Sequence, residues 1–179
     1  NAIRLARKGF SVQLLEKKVY PFHRVCGEYI SNEVIPFLEN EGLFPSKFHP
    51  PKIQKFKLTS ISGKAAHMPL DLGAFGLSRY VLDEYWVEKA REAGAEVHEG
   101  KTVSDIVFRD DTFEVTTRKG EVFQSKLVIG AFGKRSLVDR QLNRSFMQKR
   151  SPYIGVKYHI RVDLPADEIA LHNFENGYC

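Results

Sequence analysis

The apolar run "SVQLLE" ends on a carboxylate, Glu16, and is followed by a cationic loop carrying Lys17, Arg24 and a single thiol, Cys26, with Gly27 directly after it. A carboxylate at the end of a buried strand offers two acceptors to a vicinal diol, so Glu16 suits the ribose of a nucleotide. Lys17 and Arg24 suit anionic oxygens, and a guanidinium fork matches a phosphate better than an ammonium does. Gly130 and Gly133 bracket a tight turn after a second apolar run, and Ser136 is placed to cap the helix beyond it. Plainer roles fit the same residues: a solvated glutamate, a solvated basic loop, a small buried hydrophobe at Cys26 and ordinary turn glycines. From the residues alone both sets stay open.

Other chemistries find no support. The six histidines show no metal-ligand spacing with one another or with the two cysteines, Cys26 and Cys179. There is no Gly-x-Ser-x-Gly elbow and no Walker-type loop. The 179 residues are 42% hydrophobic and 27% charged, an ordinary globular composition with no apolar run near the roughly 18 residues of a membrane span. The net charge of +5 is dispersed, with no basic helix or aromatic-basic module, which argues against nucleic acid and is mildly favourable to anionic ligands. Two distant cysteines and no secretory signal suggest a reducing, cytoplasmic setting.

These residues need elements to position them. Helical spacing over residues 1–8, closed by Gly9, leads into the strand that ends at Glu16, half of a βαβ unit. Ser31 opens a short helix stopped by Gly42, and "IQKFKLTS" and "KAAHMPL" pair as strands around Ser62-Gly63. Leu82, Trp86, Ala90 and Ala93 make one face of a helix that begins just after Arg79 and closes at Gly94, before a buried strand at 95–98. Residues 102–109 and 112–117 read as a hairpin around Asp110-Asp111, extended by a strand at 121–124. "KLVIGAFGKRSLVDRQL" reads as buried strand, Gly-rich turn and helix, and a linker at 143–151 leads to strands "YIGVKYHIRV" and "IALHNF" of another sheet. Alternating strands and helices predict an α/β fold with a parallel sheet and a small antiparallel insertion.

At this level the chain resembles the FAD-dependent oxidoreductases that include geranylgeranyl reductase-like proteins, aromatic hydroxylases and flavin halogenases. "AIRLARKGFSVQLLEK" is similar to the helix and second strand of their Rossmann-type domain, and "RVCGEYIS" to their Cys-Gly segment. "SRYVLDEYWVEKAREAGAEV" resembles their Arg-then-helix segment, and "LVIGAFGKRSLVDR" their second flavin motif, usually Gly-Ala-Asp-Gly followed by Ser. The resemblance implies an FAD-binding domain over about 1–150, with inserted strands at about 53–70 belonging to the substrate side, and the beginning of a substrate-domain sheet over 151–179.

It further implies FAD as cofactor, held by Glu16, Lys17, Arg24, Cys26, Gly27, Arg79, Val103, Gly130 and Gly133. Arg79 would contact the cofactor and the backbone at Val103 the adenine. Cys26-Gly27 would pass near the flavin ring, with Cys26 as the candidate catalytic group. NADH or NADPH would be the electron donor and an apolar substrate, isoprenoid or aromatic, the acceptor, through a monooxygenase or a reductase. A lipid substrate would favour peripheral membrane contact. The family's Gly-x-Gly-x-x-Gly loop is absent, and the pattern puts its last glycine a few residues before Asn1, so a truncated chain that binds FAD weakly by itself is expected. Phe132 stands where the family usually has Asp and cannot accept a hydrogen bond. That departure keeps open an alternative, a non-catalytic Rossmann-like module for a nucleotide or a partner.

Overall fold

The structure, a computed structural model, describes residues 1–133, 136–148 and 151–179. Its elements run α1 (Ala2–Arg7), β1 (Gln13–Glu16), β2 (Tyr29–Ser31), α2 (Ile35–Asn40), β3 (Lys52–Thr59), β4 (Ala65–Gly76), α3 (Arg79–Glu92), β5 (Glu96–Glu99), β6 (Val103–Arg109), β7 (Thr112–Thr117), β8 (Val122–Ser125), α4 (Leu137–Gln141), β9 (Glu168–Phe174) and β10 (Gly177–Tyr178). They form a mixed α/β fold that divides into two compact units: Asn1–Tyr20 with Ala90–Gly155, and Pro21–Lys89 with Val156–Cys179.

In the first unit α1 ends as expected at Gly9, whose left-handed φ of +83° a side chain would disfavour. β1 pairs parallel with β5, Glu16 opposite Glu99, so two carboxylates stand at the carboxyl end of the pair. β6, β7 and β8 form an antiparallel meander. Its first turn places Asp110 and Asp111 both at positive φ, the geometry of a two-residue hairpin turn that short polar side chains tolerate. Ser136 caps α4, its Oγ accepting the Asp139 N–H at 3.3 Å.

The strand expected at 126–130 does not form. Leu127 and Ile129 are exposed, and among the described residues no neighbour offers that backbone a ladder. An apolar run becomes a strand only when a second strand satisfies its N–H and C=O groups. Residues 134–135, inside the expected Gly-rich turn, and 149–150, inside the expected linker, lie outside the described residues.

The second unit is a five-stranded sheet in the order β10-β9-β3-β4-β2, with β9 parallel to β3 and the other pairs antiparallel. β4 is longer than the sequence pattern suggests, and β2 was not foreseen. Between Ile53 and Lys55 the register slips, so that Ile53 faces Ala74 but Lys55 faces Pro69. Gly73 absorbs that bulge at φ +66°, where a Cβ would lie 3.0 Å from both Asn32 Nδ2 and the Ile53 carbonyl. The buried residues Leu38, Leu43, Ile53, Ala74, Phe75 and Leu82 form the apolar core, with Phe44 edge-on to Phe75 at 5.3 Å. Trp86 Nε1 donates to the Leu43 carbonyl at 3.1 Å, fixing α3 to the loop after α2.

The strand expected at 153–162 is likewise absent, and residues 151–165 carry no regular structure. Its alternation is real: Val156, Tyr158, Ile160, Val162 and Leu164 are all exposed apolar residues, while Lys157 pairs with Glu28 and the His159 ring lies 4.8 Å from that of His23. Pattern without a paired neighbour again gives no ladder. "IALHNF" does form β9.

Candidate functional site

Glu16 closes β1 half-buried, its Oε1 accepting the Lys18 N–H at 3.1 Å and its backbone carbonyl accepting the Lys101 N–H at 2.9 Å. The second contact brings Val103, first residue of β6 and two positions beyond Lys101, toward the same end of the parallel pair. Lys17 is exposed beside it. Glu99, which sequence reasoning passed over, is committed to structure: its Oε1 accepts the Tyr20 N–H at 2.6 Å and its Oε2 accepts Arg91 Nη2 at 2.8 Å. His98 Nε2, against the Phe123 ring, is buried without a hydrogen-bond partner among the described residues.

Gly130 and Gly133 are exposed, and Gly133 adopts φ +72°. The Phe132 ring folds back over Gly130, where an added Cβ would come within 2.7 Å of it. A side chain at Gly130 would therefore displace the Phe132 ring. Phe132 itself is 41% exposed.

In the second unit the structure brings Arg24, Cys26 and Arg79 together, and a residue the sequence did not flag does it. The Asp83 carboxylate, 8% exposed, accepts Arg24 Nε at 2.7 Å and is gripped by Arg79 through Nε at 2.6 Å and Nη2 at 2.9 Å. Arg24 lies over the Phe22 ring at 4.5 Å. The hydrogen bonding of its guanidinium to Asp83 is the main reason the Arg79 pKa is raised, and Cys26 reinforces it. Cys26 Sγ accepts the Glu28 N–H at 3.4 Å. Gly27, between them, is exposed, has no left-handed φ and would set a Cβ in open space, so no protein contact within 4 Å demands a glycine there. The Arg79–Asp83 pair at i,i+4 was visible in the sequence; Arg24, 59 residues from Asp83, was not.

Glu28 completes the cluster. It sits at φ +60°, and its Oε1 accepts both the Arg79 N–H at 3.1 Å and Lys157 Nζ. Burial would push this carboxyl up, but the hydrogen bonds from Lys157, Ser78 and the Arg79 backbone hold it below the usual carboxylate range. A depressed carboxyl contributes stability that is complete above its unfolded pKa and lost as pH falls through the folded one. Glu28→Gln in the full-length protein is therefore expected to cost about 1 kcal/mol at pH 7, with the difference from wild type shrinking toward pH 3. Urea titrations at the two pH values check this; a pH-independent difference would refute it.

No family model matches the chain. It is 34% identical over 116 residues to a flavin-dependent halogenase of Armillaria mellea, an alignment covering 60% of this chain and 23% of that protein. The myxobacterial chondrochloren halogenase CndH, described as FAD-dependent, superimposes over 99% of this chain and 45% of its own with a TM-score of 0.71 at 17% identity. Halogenase PltM in complex with phloroglucinol and FAD covers 79% of this chain and 33% of its own, with a TM-score of 0.66 at 19% identity. The chain is thus similar in sequence to a flavin-dependent halogenase and shares its fold with FAD-dependent halogenases. The chain spans about a quarter of the halogenase it matches in sequence and less than half of these solved structures.

Among the described residues no group of three or more His, Cys, Asp or Glu side chains could hold a metal ion, and no helix is long and apolar enough to cross a membrane.

Proposed function

We propose that the whole protein is an FAD-dependent oxidoreductase that takes electrons from NADH or NADPH and acts, as a monooxygenase or a reductase, on an apolar isoprenoid or aromatic substrate in the cytoplasm. The observation that carries the cofactor assignment is the cluster in the second unit, where three cations, Arg24, Arg79 and Lys157, share two carboxylates, Asp83 and Glu28. A site with oriented guanidiniums is chemically matched to an anionic dinucleotide. The cationic donor set fits FAD, and so does a glycine that no protein contact requires beside a thiol.

FAD, when bound, supplies the redox chemistry. The chain's residues bind and orient it. Arg24 and Arg79 donate to its anionic oxygens, and Gly27 lets backbone approach a flat ring. Cys26, held by the Glu28 N–H, lines that surface and is the candidate group for tuning the ring or meeting the substrate. In the first unit Glu16 accepts from the ribose hydroxyls, Val103 presents backbone to the adenine, Lys17 adds positive potential, and Gly130 and Gly133 shape the second motif's turn. The expected domain boundary near residue 150 belongs to this proposal, as does peripheral membrane contact for a lipid substrate.

Phe132 favours a second reading, a nucleotide- or partner-binding module without flavin, because its ring covers Gly130 where an acid would accept hydrogen bonds. An absorption spectrum of the purified full-length protein decides between them. A flavin spectrum that bleaches anaerobically with NADH or NADPH is the expected result, and oxygen with candidate substrates then separates monooxygenase from reductase. A protein that stays colourless after incubation with FAD would overturn the enzyme assignment.

A further inference from the structure

We infer that Asp83 is a positioning residue, which holds the Arg24 and Arg79 guanidiniums side by side so that both face one anionic part of the ligand. The inference rests on the FAD assignment above and names the group that makes its cationic site. Arg24 is carried by a loop with no regular structure, while Arg79 opens α3, so regular backbone structure alone does not set one guanidinium beside the other. Two guanidiniums brought together repel, and each long side chain keeps several rotamers when unanchored. One carboxylate, a helical turn beyond Arg79, solves both problems at once. Oδ1 takes Arg79 Nε, and Oδ2 takes Arg79 Nη2 and Arg24 Nε. Asp83 is nearly buried, whereas the Arg24 and Arg79 side chains are 37% and 33% exposed. The anion that does the holding is thus withdrawn from solvent, and the cations it holds are not.

The geometry gives the test a sign. If Asp83 acted only through space, deleting its negative charge would tighten the binding of an anionic ligand. If it positions the arginines, deleting the charge loosens binding although the site becomes more positive. In the full-length protein, FAD dissociation constants are measured by flavin fluorescence for the wild type, Asp83→Asn and Asp83→Glu, at a temperature well below each variant's melting point. Asp83→Asn is expected to bind FAD about tenfold more weakly or worse, the scale of losing one oriented charge-assisted hydrogen bond, and Asp83→Glu to recover most of that loss. An unchanged or tighter constant for Asp83→Asn overturns the inference, including the case in which the variant merely melts earlier. That outcome leaves the cofactor assignment standing. A wild type that takes up no FAD overturns the assignment and this inference together.

Discussion

Arg79→Ala in the full-length protein is expected to weaken FAD binding by about two orders of magnitude, the scale of losing one or two hydrogen bonds from a charged donor. The substitution removes a cation from the site and leaves Asp83 with Arg24 alone, so Arg24 loses part of what fixes it. It also strips a nearly buried carboxylate of a two-pronged partner, which costs about 1–3 kcal/mol of folding stability. Arg79→Lys keeps the charge but not the fork and should fall between the two proteins. Fluorescence titration with FAD, with a thermal melt alongside, separates the ligand effect from the folding effect. A dissociation constant unchanged in Arg79→Ala would remove Arg79 from the cofactor site. Arg79 and Asp83 carry opposite charges, yet replacing either should loosen the same ligand, which simple attraction cannot produce.

The second large effect is on stability. Phe75 is 2% exposed on β4, edge-on to Phe44, and in register with Ile30 of β2 and Lys52 of β3. Cutting it to Ala leaves a cavity where the sheet meets α3 and the α2 loop, and should cost about 3–5 kcal/mol. In the full-length protein the melting temperature should fall with it. Ile61→Ala, at the exposed tip of the β3–β4 hairpin, is the control and should stay within about 0.5 kcal/mol. Equal losses for the two variants would mean the core is misplaced.

What the sequence made legible was local. Gly9 after an apolar helix, Asp110-Asp111 between two alternating runs and Ser136 before "LVDRQ" each contain their own signal within a few residues, and each forms as expected, as does the helix α3, although it buries Asp83, Tyr85 and Val87 beside Leu82 and Ala90 rather than the one expected stripe. What stayed hidden depends on distant partners. β2 is three residues long and exists because β4 runs beside it. The runs at 126–130 and 153–162 have the side-chain pattern of strands, but a strand's backbone bonds come from a neighbour that its own residues cannot specify. The candidate site divides in the same way. Glu16 was found from the end of its strand and Cys26-Gly27 from their types, whereas Asp83 looked like one more acid on a helix until Arg24 arrived from 59 residues away.

The stripe formed by Val156, Tyr158, Ile160, Val162 and Leu164 has a practical consequence for handling the protein. Lys157 and His159 are turned to Glu28 and His23, so the greasy side of an unladdered segment is left to the solvent. Such a segment recruits other copies through backbone and side chains together, and added salt worsens this by screening the surrounding lysines. Residues 1–179 expressed alone should therefore scatter light and smear on a sizing column, increasingly so with concentration. Loss of flavin from such a preparation would report self-association before it reported anything about Glu16 or Arg79, which is why each binding experiment above uses the full-length protein.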